Sequence, residues 1–406
     1  MKSISQFNPS LFLIQDTELK NLEKNSPSSK EITSINNPSK SSNLAFFLSP
    51  GSSLSSWQKS GLLTRELAPL KIFASEFNKV FIFTYGRRSE LIFQSSLPKN
   101  IIIKPRHLPL PSRLYQYLLP FLHFPTIRRS HFLRTNQING AVSALIAKRL
   151  NPKSKLIIRT GYTKSLFDSQ AGLNNKPALK LESRAYAVCD LALVTSLADR
   201  DYLIKTHHLS PNKVHVVANY IDTDLFRPLP LPKLLSRLLF IGRAGDPQKN
   251  ILALIKALSD TDLALDIVGK TKNTATISAT AAKYNVSLNW LGIIPNDNLP
   301  QLINRYSIFI LPSLYEGMPK SLLEAMSCGL ACVATDVPGS REVITDEENG
   351  LLTEPTFTSL RAKIILLQNN TTLQQKLGAA ARGFVVQNFS LKTQIQKEIS
   401  IYQNLI

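Results

Sequence analysis

Residues 311–329 read LPSLYEGMPKSLLEAMSCG, and this stretch decides how the second half of the chain is interpreted. An apolar strand is predicted to end at Leu311, a loop follows, and Pro319 suits the first turn of a helix. The unpaired backbone amides of that turn, with the positive end of the helix dipole, can hold a diphosphate. The residues at this junction are therefore candidates for binding a diphosphate-containing ligand: Gly317, Met318, Pro319 and Lys320.

Two carboxylates lie on either side of that junction. Glu316 is on the loop, where it can meet a sugar, and Glu324 is about one turn into the helix, where it can accept hydrogen bonds from ribose hydroxyls. A solvated helix with two ordinary acids would have the same spacing. The preceding strand and the Gly-x-Pro between the two acids favour the functional interpretation.

A second stretch, residues 240–250, reads FIGRAGDPQKN and follows the first predicted strand of the second half. Gly242 lies at the end of that strand and is a further candidate for nucleotide-sugar binding. Arg243 can bind a diphosphate with two parallel hydrogen bonds, and Lys249 adds a point charge. Together they would stabilise a departing diphosphate without a metal ion. The alternative is that both are surface cations that cap a loop.

Strands and helices alternate along both halves of the chain, which predicts an α/β fold of two doubly wound, Rossmann-like domains facing a central cleft. The first domain is predicted over 44–228, a proline-containing linker over 229–236, and the second domain over 237–390. Residues 1–43 are rich in Ser, Asn and Lys and predict a disordered arm. A last helix is predicted over 391–406, with the N-terminal domain as one candidate packing partner.

Residues 311–329 and 240–250 resemble the signature elements of the large retaining glycosyltransferase family 4, which has the GT-B fold. The similarity spans most of residues 44–406. The resemblance implies that Glu316 contacts the donor sugar and that Glu324 binds the nucleotide ribose. It also implies retention of anomeric configuration without a metal or other cofactor. The implied reaction moves a sugar from a UDP-, GDP- or ADP-sugar to a carbohydrate or lipid-linked acceptor, in polysaccharide or glycolipid assembly.

Three further positions in the first half are candidates, and the first two are assigned by comparison with this family. Gly51 follows the first strand, where the backbone could approach the donor, although serines replace the second glycine of many relatives. Gln137 stands where many relatives have a histidine, and it can bind a hydroxyl but cannot act as a base. Arg159 ends a strand on the cleft side, where it meets an acceptor anion or fixes a loop. The segment 57–66 resembles a subgroup of the family, and its tryptophan is expected to pack in the core.

The charge of the chain is +20 and is concentrated between residues 44 and 164, which hold 19 Lys and Arg against three Glu. This field attracts anions such as phospholipid headgroups or a phosphorylated acceptor, unless it is simply a soluble face. Nucleic acid is not expected, because no nucleic-acid-binding motif accompanies the charge.

The three cysteines form no metal or disulfide pattern, and two Asp-x-Asp sequences are interpreted as structural rather than metal-binding. No apolar run reaches about 18 residues, so we expect a cytoplasmic protein, with the inner face of an anionic membrane as one location.

Three other functions are compatible with these motifs. The first is another GT-B enzyme, such as a sugar-nucleotide epimerase or a phosphorylase. The second is a nucleotide-sugar-binding protein without catalytic activity. The third is a membrane-surface protein that uses only its basic half.

Overall fold

A computed structural model describes residues 38–270 and 273–405 of the 406-residue chain. Most of the predicted disordered arm, residues 1–37, lies outside the described residues. Its last residues differ from the prediction, because Pro38–Ser41 forms a 3-10 turn and the first strand begins at Asn43 rather than Leu44. The Asn43 side chain donates a hydrogen bond to the carbonyl of Arg129 at 2.8 Å, which ties this end of the strand to the domain.

The N-terminal domain is built on a seven-stranded parallel sheet with the order β3-β2-β1-β4-β5-β6-β7. Side chains of a strand alternate between its two faces, so Phe46 enters one apolar core while Ala45 and Phe47 enter the other. Both faces are therefore covered by helices, as parallel sheets require. The strands are β1 (Asn43–Phe47), β2 (Lys79–Phe83), β3 (Ile101–Lys104), β4 (Phe132–Thr135), β5 (Lys155–Arg159), β6 (Leu191–Val194) and β7 (Val214–Val216).

The helices of this domain lie on both faces of the sheet. They are α1 (Leu54–Lys59), α2 (Leu63–Glu76), α3 (Ser112–Leu122), α4 (Phe124–Arg128), α5 (Ala141–Leu150), α6 (Lys164–Gln170), α7 (Lys176–Val188) and α8 (Leu197–His207). The segment that begins at Trp57 does not form one continuous helix but is divided between α1 and α2. The break falls at Gly61, whose φ of 71° is left-handed and interrupts the helical backbone.

The C-terminal domain is built on a six-stranded parallel sheet with the order β10-β9-β8-β11-β12-β13. Its strands are β8 (Arg237–Ile241), β9 (Ala264–Val268), β10 (Leu288–Gly292), β11 (Ile308–Leu311), β12 (Ala331–Thr335) and β13 (Leu351–Thr353). Its helices are α9 (Ile251–Ala257), α10 (Thr274–Lys283), α11 (Leu299–Ile303), α12 (Lys320–Ser327), α13 (Pro338–Arg341), α14 (Phe357–Gln368) and α15 (Thr371–Phe389). Strands β8 and β11 are neighbours, so the loops that follow them leave the sheet side by side.

The last helix, α16 (Leu391–Gln403), lies on the N-terminal domain. Ile395, Ile399 and Tyr402 are buried in the same apolar core as the strands of the first sheet. The Nε of Arg134 on β4 donates a hydrogen bond to Glu398 Oε1 on α16 at 2.6 Å, and both side chains are almost fully buried. This helix therefore joins the end of the chain to the first domain. No helix in the described part of the chain is both long and apolar enough to cross a membrane.

Candidate functional site

A cleft with a volume of about 650 Å³ lies where the carboxyl ends of the two sheets face each other. Ligands of doubly wound sheets bind at this edge, beyond the ends of the strands. Eleven of the twelve site residues predicted from the sequence line the cleft: Gln137, Arg159, Gly242, Arg243, Lys249, Glu316, Gly317, Met318, Pro319, Lys320 and Glu324. Gly51, the twelfth, is exposed in the turn after β1 with a φ of 88°, and the structure does not bring it to the cleft wall.

The loops after β8 and β11 are held together by two hydrogen bonds, one between backbone groups and one from a side chain. The amide of Leu314 donates to the carbonyl of Gln248 at 2.8 Å, and the Gln248 side chain donates to the carbonyl of Tyr315 at 2.6 Å. These bonds place Lys249 opposite Glu316, and the ammonium donates a hydrogen bond to the carboxylate. Both side chains are largely buried. The structure therefore joins the two signature stretches through one ion pair on the cleft wall.

The backbone on both sides of the Glu316 loop approaches so closely that side chains would not fit. A Cβ added to Gly339, in α13, would lie 2.6 Å from the carbonyl oxygen of Glu316 and closer still to that of Gly317. A Cβ added to Gly317 would lie 3.1 Å from the Cβ of Tyr162, across the cleft. Glycine at both positions therefore lets the loop lie between α13 and the N-terminal domain.

Helix α12 begins at Lys320, directly after this loop. Pro319 precedes it in an extended conformation and offers no side-chain cap to the first-turn amides. Those amides and the helix dipole are suited to a phosphate group. Met318 is held from the other domain, because the side chain of Asn219 donates a hydrogen bond to its carbonyl at 2.7 Å. The start of this helix is thus fixed at the bottom of the cleft.

Glu324 is buried, with 1% of its surface exposed, yet it lines the cleft. Its Oε1 accepts a hydrogen bond from the Nδ2 of Asn296 at 3.1 Å and lies 3.6 Å from Nη1 of Arg65. Burial raises the pKa of this carboxyl, and the positive charges of Arg65 and Lys320 oppose that rise. A carboxylate with few solvent contacts can accept hydrogen bonds from two hydroxyls of a ribose.

The Lys320 ammonium faces the N-terminal domain. Its Nζ lies 4.0 Å from Oε1 of Glu66 and 5.2 Å from the ring centroid of Tyr220. Burial lowers the pKa of Lys320 to about 8, against the opposite influence of Glu66. Lys320 is therefore a cation whose charge is sensitive to whether an anion occupies the cleft.

Arg243 differs from the other predicted cations. Its side chain is 74% exposed, and its Nε pairs with Asp246 Oδ2 at 2.9 Å, three residues along the chain. It lies on the cleft wall but is held at the rim by this local pair, whereas the predicted role needs it to meet the diphosphate beside Lys249.

The wall contributed by the first domain carries Gln137 and Arg159. The Oε1 of Gln137 accepts a hydrogen bond from the amide of Gly161 at 2.9 Å, which fixes the turn after β5. Arg159 is 5% exposed, and its Nε and Nη2 have no hydrogen-bond partner, while Glu398 Oε2 lies 3.8 Å away. Unpaired donors on a buried guanidinium are costly, so an anion in the cleft would stabilise this side chain.

Sequence reasoning missed the pair Arg65 and Glu66, which lines the cleft from α2. The signal was present, because both residues end the segment 57–66 that resembles a subgroup of the family. Within that segment only Trp57 was assigned a role, in the core, and the structure buries its side chain there. Among the described residues, no three His, Cys, Asp or Glu side chains are grouped so that they could hold a metal ion.

Two facing Rossmann-like sheets with a cleft between them define the GT-B fold. Sucrose-phosphate synthase from Thermosynechococcus elongatus superposes with a TM-score of 0.73 at 18% identity, covering 90% of this chain and 99% of its own. HepE of Anabaena in complex with UDP superposes with a TM-score of 0.72 at 17% identity, covering 89% of this chain and 100% of its own. At these identities the comparison shows the fold alone.

Residues 222–384 match the model of the family Glycosyl transferases group 1. A Campylobacter jejuni enzyme named N-acetylgalactosamine-N,N'-diacetylbacillosaminyl-diphospho-undecaprenol 4-alpha-N-acetylgalactosaminyltransferase is 29% identical over 261 residues, covering 63% of this chain and 70% of its own. The Escherichia coli UDP-Gal:alpha-D-GlcNAc-diphosphoundecaprenol alpha-1,3-galactosyltransferase is 25% identical over 232 residues, covering 51% of this chain and 58% of its own. These matches confirm the predicted resemblance to group 1 glycosyltransferases, and the superpositions confirm the predicted GT-B fold.

Proposed function

We propose that this chain is a retaining, metal-independent glycosyltransferase that moves a sugar from a nucleoside-diphosphate sugar to a carbohydrate or lipid-linked acceptor. One observation carries the proposal. Lys249 meets Glu316 and the first turn of α12 on the same wall of the cleft, although Lys249 comes from a stretch 67 positions earlier in the chain. A cation, a carboxylate and free helix amides are the groups that a sugar diphosphate requires.

The C-terminal domain would bind the donor in this reaction. The diphosphate lies at the start of α12, with Lys249 and Lys320 beside it, and the ribose hydroxyls donate hydrogen bonds to Glu324. Glu316 then accepts a hydrogen bond from the sugar. Because Lys249 pairs with Glu316, a bound donor would share that ammonium between the carboxylate and a phosphate oxygen.

The bond from the anomeric carbon to the diphosphate oxygen breaks, and its electron pair stays on the diphosphate. The acceptor hydroxyl forms the new bond on the same face of the sugar, and its proton passes to the departing phosphate oxygen. Positive groups at the leaving oxygen lower this barrier, and closure of the cleft excludes water. Neither step needs a side chain that acts as a base, which fits glutamine at position 137.

The acceptor enters from the N-terminal domain. Two relatives carry diphospho-undecaprenol in their names, which supports a lipid-linked, anionic acceptor for this chain. Arg159, with its unpaired donors, is the cation that would meet such an acceptor. The proposal includes assembly of a polysaccharide or glycolipid at the cytoplasmic face of an anionic membrane.

The test begins with a thermal-shift panel of UDP-, GDP- and ADP-sugars, because a ligand that binds only the folded state raises Tm. UDP is the first candidate, since HepE was solved with it. The selected donor is then incubated with and without acceptors, in buffer containing EDTA, and the anomeric configuration of the product is read by NMR. Transfer with retention supports the proposal. Conversion of the donor without an acceptor would indicate an epimerase. Cleavage that depends on phosphate would indicate a phosphorylase, and tight binding without turnover would indicate a non-catalytic protein.

A further inference from the structure

Helix α3 (Ser112–Leu122) has an apolar surface that no other part of the described chain covers. Among the described residues, 21 large apolar side chains are exposed, and seven of them lie within residues 108–124. One third of the exposed large apolar side chains therefore lie within 17 consecutive residues. Exposed apolar residues are normally scattered singly over a protein surface, so this is a cluster.

The spacing of these residues places them on one side of the helix. Positions three and four apart share a helix face, and the exposed residues follow that rule. We call this set the outer face of α3: Leu114, Tyr117, Leu118, Phe121 and Leu122. Leu114 and Phe121 are each 57% exposed.

The opposite side of the same helix is already occupied by the core. Tyr115 and Leu119 are fully buried against the first sheet. A hydrogen bond from Ser143 Oγ to the carbonyl of Gln116, at 2.8 Å, also joins α3 to α5. The helix is therefore apolar on both sides, and the outer face is not needed to fold the domain.

Positive charge accompanies the outer face. Residues 91–167 contain 13 Lys and Arg and no acidic residue, and α3 and α4 lie in the middle of this range. Arg113 is exposed at the start of α3, and Arg128 and Arg129 are exposed at the end of α4. Aromatic and leucine side chains bordered by arginines are the composition of helices that lie in a membrane interface.

We propose that the outer face of α3 inserts into the headgroup region of an anionic lipid bilayer and docks the N-terminal domain there. Charge decides against two other occupants. Residues 1–37 contain four Lys and four acidic residues, so this segment has no net negative charge to attract it to the basic region. A second copy of the chain would bring another +20 of like charge.

The location also suits the cleft. Helix α5 packs against α3 and begins at Ala141, four residues after Gln137 on the cleft wall. A docked α3 therefore brings the N-terminal wall of the cleft toward the bilayer. The docking itself is independent of the proposed function, but the conclusion that it delivers a lipid-linked acceptor rests on that function.

The test measures cosedimentation of the full chain with vesicles of phosphatidylcholine, with and without phosphatidylglycerol. The double variant L118S/F121S removes apolar surface from the outer face, and L366S/V386S removes exposed apolar side chains of α14 and α15 as a matched control. Wild type and control should bind the anionic vesicles, and less so at high salt. The L118S/F121S variant should bind at least about tenfold more weakly, because less apolar surface enters the interface.

Equal binding by wild type and L118S/F121S would overturn the proposal, as would failure of the wild type to bind anionic vesicles. A wild-type dimer that becomes a monomer on L118S/F121S substitution would assign this face to a second copy instead. Thermal shift by UDP-sugars on the same samples separates the two proposals. Intact donor binding without vesicle binding overturns only the docking, and vesicle binding without donor binding or transfer counts only against the glycosyltransferase.

Discussion

Lys249 and Glu316 form a direct ion pair although 67 residues separate them in the chain. The pair arises because β8 and β11 are adjacent parallel strands whose following loops meet at the same edge of the sheet. Both groups are largely buried, and the structure gives each of them one ion pair, the one with the other. A donor diphosphate has to compete for this ammonium, which makes the pair the first place to test the mechanism.

Replacing Lys249 with Met should lower kcat by roughly 100-fold or more, if its loss resembles that of one oxyanion donor. The measurement is steady-state turnover with the donor that the thermal-shift panel selects. Lys256→Met, in α9 and exposed, is the matched control and should keep normal turnover. Normal turnover by the Lys249 variant would remove its leaving-group role.

Arg243→Ala should also lower turnover by roughly 100-fold, without changing stability by more than about 0.5 kcal/mol, because the side chain is exposed and paired only locally. Asp246→Asn frees the arginine from its partner and should leave turnover intact or raise it. If Arg243→Ala has wild-type kcat and KM, the arginine is a surface cation at the rim and takes no part in the reaction.

Donor affinity should fall as the pH rises through about 8, because the partly buried Lys320 then loses the charge that attracts the diphosphate. The free energy of unfolding should change with pH in the opposite direction. The pKa of Lys320 is lower when folded than when unfolded, so its contribution to the free energy of unfolding increases as the pH rises from about 8 toward 10.5.

Titration calorimetry between pH 7 and pH 9.5 can check this dependence. Lys320→Arg keeps the charge at every pH, so it should bind the donor with little change across the range. Lys320→Met should bind more weakly and also without this pH dependence. A wild-type profile that persists in the Met variant would assign the titration to another group.

Gly339→Ala should strongly reduce turnover, because the new Cβ would collide with the carbonyls of Glu316 and Gly317 and displace the loop. Gly383→Ala is the matched control. Gly383 lies inside α15 with open space around its Cα, so alanine there should be neutral or stabilise by up to about 1 kcal/mol. Equal activity of the two variants would mean that the loop is not held as closely as this geometry requires.

Glu398→Gln should reduce the free energy of unfolding by roughly 3–5 kcal/mol, because it leaves Arg134 as a buried, unpaired cation. Burial alone would raise the pKa of Glu398, but Arg134 lowers it below the ordinary value of 4.5. The stabilisation is therefore present above that value and is lost as the pH falls through the folded pKa.

Urea unfolding at pH 7 and pH 4 measures the effect, and the difference between wild type and E398Q should shrink at the lower pH. Glu348→Gln, at an exposed position, should change the unfolding free energy by less than about 0.5 kcal/mol. A similar small effect of E398Q would show that α16 does not depend on this ion pair.

Two signature stretches were sufficient to predict the GT-B fold and most of the residues of the cleft wall. The loop–helix element in these stretches depends on local backbone preferences. Pro319 before a helix and Gly317 in a loop act through their own backbone preferences, which the sequence displays directly. The contribution of Arg65 and Glu66 could not be predicted with the same rules, because their role depends on α2 facing α12 from the other domain.

The order of apolar strands, helices and turn residues determined two parallel sheets and the loop–helix element, because period and backbone preference are local properties of the chain. Tertiary structure alone decided that Arg243 pairs with Asp246, that Gly51 does not line the cleft, and that Glu398 meets Arg134 from 264 positions along the chain. It also decided which apolar side of α3 is covered. Burial and ion pairing depend on neighbours distant in sequence, and a sequence pattern does not specify those neighbours.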